Sequence, residues 1–183
     1  MKPADSDIIN GWIKKYSDIF FNYTYKRVKD TSMVKDIMQE TFMSAWKNIS
    51  SFKKKADEKT WLFAILKNKL IDHYRLQAKL AMEPLNSDHY FDDVEHWAES
   101  ASPLVWQNAN EAFNNKEFYT VLDICKSKLS RLQQLVFTMK YVDEHETPFI
   151  CKVLNITASN YWVIIHRSKL NLRNCLEKNW FGK

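Results

Sequence analysis

A chain of 183 residues, 45% hydrophobic and 14% aromatic, has material for packed cores and room for one domain or two small ones. A net charge of +5 and a pI near 9.0 fit an anionic partner. Only two glycines, Gly11 and Gly182, exclude glycine-rich phosphate loops and dinucleotide fingerprints, which need several backbone positions without a Cβ. The charge is unevenly placed. Residues 1–80 hold 16 Lys+Arg against 9 Asp+Glu, residues 81–110 hold 6 acids and no Lys or Arg, and residues 111–183 hold 11 against 7. Two basic bodies therefore flank an acidic connector.

In chain order, Ile8, Ile9, Trp12, Ile13, Tyr16, Ile19, Phe20 and Tyr23 recur at three and four residues, which predicts a helix ending near Lys26-Arg27-Val28-Lys29. Asp5 or Ser6 is the expected cap. Asp30 and Thr31 restart a helix with Val34, Ile37, Met38, Thr41, Phe42, Ala45 and Ile49 inside, and Lys35, Asp36, Gln39, Glu40, Met43 and Lys47 outside. The loop from Ser50 to Asp57 sets Lys53, Lys54 and Lys55 beside Phe52. It reads either as a solvated turn with Phe52 tucked into the core or as a functional surface. A third helix, from about Glu58 to Lys79, packs through Leu62, Phe63, Leu66, Leu70 and Tyr74 and shows Trp61, Ile65, Asn68, Asp72, Arg75 and Lys79 on its other side. A basic, ring-bearing helix beside a lysine-rich loop suits single-stranded nucleic acid, since lysines meet phosphates and bases stack on rings for about 1–3 kcal/mol each.

The connector carries Glu83, Asp88, Asp92, Asp93, Glu95 and Glu99 with two prolines, a composition that favours an extended, solvated segment. Its Tyr90, Phe91, Trp97, Leu104, Val105 and Trp106 are too apolar for a mere tether, and some are expected to anchor it. Cys125, Cys151 and Cys175 are odd in number, sit in helical apolar patterns and show no metal-ligand spacing. Buried thiols in a reducing compartment are expected rather than disulfides or zinc.

Thr147 to His166 has the spacing of a short helix, a tight turn and a second helix, with Ile150, Leu154, Ile156, Tyr161 and Ile164 as buried positions and the small Cys151 at the crossing. Asn155 occupies the turn, where a left-handed conformation is needed. Thr157 is the expected N-cap, accepting from the amide of Ser159 or Asn160. Alone, the stretch reads as a DNA-recognition helix or as an ordinary helical hairpin. The exposed side of the second helix carries His166, Arg167, Lys169 and Arg173 with no acid before Glu177, which favours nucleic acid. The N-terminus lacks the apolar run of a signal peptide, and the longest uncharged run, Val153 to His166, is too short and polar to span a bilayer. The protein is expected in the cytoplasm and not embedded in a membrane.

A longer order of residues is more specific. Asp36-Ile37-Met38-Gln39-Glu40-Thr41-Phe42, then Phe52, then Lys59-Thr60-Trp61-Leu62-Phe63 with Ile65, Asn68, Ile71, Asp72 and Arg75, resembles region 2 of bacterial RNA polymerase sigma factors of the extracytoplasmic-function (ECF) group in the sigma-70 family. Leu129-Ser130-Arg131-Leu132-Gln133-Gln134-Leu135-Val136-Phe137 with the helix-turn-helix resembles region 4. The likeness covers most of residues 8–80 and 115–178.

It implies an all-α protein of two small helical domains. A region-2-like bundle of three or four helices spans 1–80, an acidic linker 81–110, and a region-4-like helix-turn-helix domain 111–183. Asp36, Gln39, Glu40 and Met43 would dock on the β′ clamp helices of core RNA polymerase, whose β flap is the second implied contact. Phe52, Lys53, Lys54, Lys55, Lys59, Trp61, Asn68 and Arg75 would receive the minus-ten strand and hold a flipped base, whose capture offsets the few kcal/mol of unstacking. Thr157, Ser159, Asn160, Trp162, Val163, His166, Arg167, Lys169 and Arg173 would meet the minus-thirty-five duplex, the first ones at base edges and the basic ones at phosphates. The run Tyr161-Trp162-Val163-Ile164-Ile165 departs from the small or basic residues many members carry there. Trp162 thus has two readings, DNA contact or packing against polymerase or an anti-sigma factor, which the family usually has. By the same likeness the linker threads toward the polymerase cleft or only sets domain spacing. No cofactor, metal or catalytic residue is expected. The rival reading is a stand-alone helix-turn-helix regulator with residues 1–80 as a dimerisation or sensor domain. An enzyme is disfavoured, because His73 beside Asp72 reads as an exposed helix pair and no cluster has acid–base spacing.

Overall fold

A computed structural model of the chain describes residues 3–52, 57–81 and 116–181. Among them there are helices and turns and no strand: α1 (Pro3–Val28), α2 (Thr31–Lys47), a 3-10 turn (Ile49–Ser51), α3 (Glu58–Leu80), α4 (Lys116–Ser127), α5 (Arg131–Tyr141), α6 (Thr147–Leu154), α7 (Ala158–Leu176) and a π-helical turn (Glu177–Phe181). Two compact units result, Met1–Lys79 with Thr138–Asn155, and Leu80–Phe137 with Ile156–Lys183. The acidic connector, with Tyr90, Phe91, Trp97 and Trp106, lies outside the described residues, as do Lys53, Lys54 and Lys55.

In the first unit, α1 begins at Pro3, so Asp5 and Ser6 lie inside the helix and neither caps it. Proline is tolerated in a first turn because no amide is required of it there. The buried line of α1 is Ile9, Trp12, Tyr16 and Phe20, with Thr24 continuing it. Ile8, Ile13 and Ile19, expected in the same stripe, are exposed, since the buried arc is only one residue wide per turn. Lys29 takes the left-handed conformation (φ 59°) and its amide donates to Tyr25 O, which closes α1. Asp30 then caps α2 by accepting from the amides of Ser32 and Met33, an arrangement worth about 1 kcal/mol. Val34, Ile37, Thr41, Phe42 and Ala45 are buried on α2, and Leu62, Leu66, Leu70, Tyr74 and Ala78 on α3. The rings of Phe20, Phe42 and Phe63 meet at the centre.

The same unit has a buried polar core. Arg27 lies over the Tyr23 ring at 3.5 Å and donates to Tyr23 O and to Asp143. Tyr74 donates its hydroxyl to the other Asp143 oxygen at 2.9 Å. Asp143 is delivered by the turn after α5, where Val142 and Asp143 amides donate to Thr138 O and Glu144 is left-handed (φ 57°).

The second unit packs Phe118, Cys125 and Leu129 against Leu172 and Leu176, with Trp180 edge-on to Phe118 at 5.7 Å. Ser130 and Gln133 form a reciprocal capping box at the start of α5: each backbone amide donates to the other's side-chain oxygen. Asn171 Nδ2 donates to the same Gln133 oxygen. Cys125 and Cys175 are joined by a disulfide, with Cα atoms 5.7 Å apart, and Cys151 is free. This corrects the expectation of three buried thiols. The two cysteines are 50 residues apart in sequence, and only the packing of α4 on α7 brings them together.

Candidate nucleic-acid interface

Asp36, Gln39, Glu40 and Met43 occupy positions i, i+3, i+4 and i+7 of α2, hence one face, and all four are exposed. Met43, at 44% exposure, puts an apolar contact among polar ones. Glu40 pairs with Lys69 of α3 at 3.2 Å. The inner positions 34, 37, 41, 42 and 45 hold the opposite side in the core, so the outer face is fixed by packing.

Phe52 and Trp61 come together, their rings 5.2 Å apart, and both rest on Trp12 of α1 at 5.7 and 5.8 Å. Phe52 is half-buried against the core, as is Trp61. Lys59, Asn68 and Arg75 are exposed along α3, and Arg75 donates to Asp72 at 2.8 Å.

At the first residue of α3, Glu58 accepts from three donors of α1. These are Trp12 Nε1 at 2.7 Å, Tyr16 Oη at 2.6 Å and Lys15 Nζ at 2.5 Å. The hydrogen bond from Lys15, followed by those from Tyr16 and Trp12, holds the Glu58 carboxyl down at about 2, while the bond to Glu58, followed by the contact with Tyr16, raises Lys15. Burial, then the bond to Glu58, raises Tyr16. Sequence reading missed Trp12 and Glu58 as partners of Phe52 and Trp61. The signal available was small, a tryptophan in an apolar stripe and an acid beside three lysines.

The helix-turn-helix has the expected local geometry. Asn155 is left-handed (φ 55°, ψ 48°) and ends α6 with its amide donating to Cys151 O. Thr157 caps α7 by accepting from the Asn160 amide at 3.1 Å. Ile150, Leu154, Tyr161 and Ile164 are buried, Ile156 half-buried. Outward from α7 stand Thr157, Ser159, Asn160, Trp162 and Lys169, with Val163, His166 and Arg167 half-buried. Trp162 is 54% exposed, edge-on to Tyr161 and 6.3 Å from the His166 ring. Arg173 differs from the rest: its side chain is 14% exposed and its Nε donates to Glu177 at 2.7 Å.

Against known proteins, the Sigma-70 region 2 family matches residues 12–80. A probable RNA polymerase sigma factor of Haemophilus influenzae is 34% identical over 157 residues, 83% of this chain and 81% of that protein. The chain belongs to the sigma-70 family of RNA polymerase sigma factors. Within the family its group is the ECF one. The ECF RNA polymerase sigma factor SigW of Bacillus subtilis is 27% identical over 181 residues, 96% of this sigma factor and 92% of SigW. Among solved structures, the co-crystal structure of the sigma factor RpoE with the anti-sigma factor NepR from Bartonella quintana is 15% identical, with a TM-score of 0.46 over 93% of this chain and 97% of that one. This sigma factor directs transcription initiation. Among its described residues no helix is long and apolar enough to cross a membrane, and no group of His, Cys, Asp and Glu is placed to hold a metal ion.

Proposed function

We propose that this sigma factor joins core RNA polymerase through the Asp36, Gln39, Glu40 and Met43 face of α2, on the β′ clamp helices, with residues 1–80 as the docking and minus-ten body. Residues 111–183 form the minus-thirty-five body and meet the β flap, and residues 81–110 connect the two. The observation that carries the reading is the separation of faces on one helix pair. The α2 face is exposed and holds two acids, which would repel phosphate, while α3 presents Lys59, Asn68 and Arg75. A protein partner suits the first and a nucleic acid the second.

On α7, Ser159, Asn160, Trp162 and Val163 stand at the entering end, where base edges are read. The half-exposed Trp162 favours an external contact over a place in its own core. His166, Arg167 and Lys169, of which Lys169 is exposed and the other two half-buried, supply phosphate contacts. Arg173, bound to Glu177, contributes field more than a direct contact.

The factor catalyses no reaction itself. It works in the cytoplasm, where its partners are core polymerase, promoter DNA and an anti-sigma factor. Run-off transcription with purified core polymerase on fragmented genomic DNA tests this: factor-dependent starts are expected, and their absence would sink the reading. A stand-alone regulator would instead bind DNA tightly without polymerase.

A further inference from the structure

Phe52 and Glu58 bracket the lysine-bearing stretch of the proposed minus-ten body, and the two converge on one ring of α1. Trp12, 5% exposed, lies edge-on to Phe52 and tilted against Trp61, and its Nε1 donates to Glu58. Ring contacts fit an indole in more than one orientation, whereas a hydrogen bond from its single N–H to a fixed carboxylate selects one. Glu58 is itself fixed, because Tyr16 and Lys15 donate to its other oxygen. These three donors also offset a negative charge that would otherwise face an incoming phosphate chain. The N–H of Trp12 and the hydroxyl proton of Tyr16 are both given to Glu58, so neither donor is left to read a base.

Resting on the proposed function above, we infer that Glu58 is a positioning residue for minus-ten strand capture. Through Trp12 it sets the orientation of the Phe52 and Trp61 rings, and so where the opened strand is received, without touching DNA. Its removal acts on promoter opening and leaves polymerase docking alone, because the Asp36, Gln39, Glu40 and Met43 face belongs to a different helix.

The test uses the full chain with core polymerase and a promoter found by the run-off selection, labelled with 2-aminopurine in the non-template minus-ten strand, where fluorescence rises on unstacking. Three variants are compared with the wild type: Glu58→Gln, Trp12→Phe, which keeps a ring and loses the N–H donor, and Tyr16→Phe, which loses one hydroxyl. Glu58→Gln and Trp12→Phe are expected to slow the fluorescence rise about tenfold, the size of one charge-assisted hydrogen bond, with core affinity unchanged. Tyr16→Phe is expected to act in the same direction, and it carries the test should Glu58→Gln fail to fold. A wild-type rate of opening in the folded variants overturns the inference. So does a parallel loss of core binding, which would make the cluster merely structural. If the wild-type factor yields no start at all, the proposed function fails and takes this inference with it.

Discussion

Arg27 donates through Nε to an oxygen of Asp143 at 2.5 Å, and each of the two side chains is only 8% exposed. They are 116 residues apart, and the pair closes the first compact unit between α1 and the turn after α5. Removing one partner strands the other as a buried charge, which costs about 3–5 kcal/mol. Asp143→Ala and Arg27→Ala should each lower stability by that amount in urea unfolding followed by tryptophan fluorescence. The double variant Arg27→Met with Asp143→Leu should recover most of the loss, because apolar groups of similar volume leave no orphan charge. A single variant within about 1 kcal/mol of wild type would mean that water reaches the pair.

Glu58 predicts an acid-side signature. Its folded-state value is about 2 against an ordinary 4.5, so it binds its proton more readily unfolded than folded. The stabilisation is therefore complete above about 4.5 and is lost as pH falls from there toward 2. Melting temperatures of the wild type should fall more steeply across that interval than those of Glu58→Gln. Parallel curves would show that the three donors do not hold the carboxylate in solution.

The Cys125–Cys175 bridge spans 50 residues, and reducing a bridge of that span typically costs about 2–4 kcal/mol. Thiol titration of the unfolded chain should find one thiol before reduction, Cys151, and three after. Reductant should lower the melting temperature of the wild type and leave Cys125→Ser with Cys175→Ser unmoved. Three thiols in protein isolated without reductant would remove the bridge.

Asn155 holds a left-handed corner between α6 and α7. Asn155→Gly should be neutral or slightly stabilising, whereas Asn155→Val, branched at Cβ, should cost about 1–2 kcal/mol. Equal thermal stability of the two variants would show that the corner can relax.

Polymerase docking and DNA binding should separate by mutation. Gln39→Arg is expected to weaken core polymerase binding in a pull-down with the melting temperature unchanged. Arg167→Ala should lower duplex affinity and reduce the salt dependence by about one unit of slope, because one phosphate is no longer neutralised. An unaltered slope would place Arg167 away from the backbone of DNA.

Local features were legible in the sequence and long-range ones were not. The Thr157 cap, the Asn155 corner and the inner face of α2 each depend on residues within one or two turns, and each is expected in place. The start of α1 was missed because Asp5 and Ser6 resemble caps while Pro3 suits a first turn equally well. Trp12 with Glu58, Cys125 with Cys175, and Arg27 with Asp143 are separated by 46, 50 and 116 residues. No periodicity reports such pairs, since the meeting is decided by how helices pack. The packing of Phe52 and Trp61 belongs to this second kind, because the ring that receives them lies on another helix.

The bridge also makes a covalent ring of the chain from Cys125 to Cys175, and α5, α6 and nearly all of α7 lie within it. A protease that cuts once inside the ring, at the exposed left-handed Glu144 for instance, opens the backbone without releasing a fragment. The nicked protein would keep its full mass until a reducing agent is added, and only then part into two pieces.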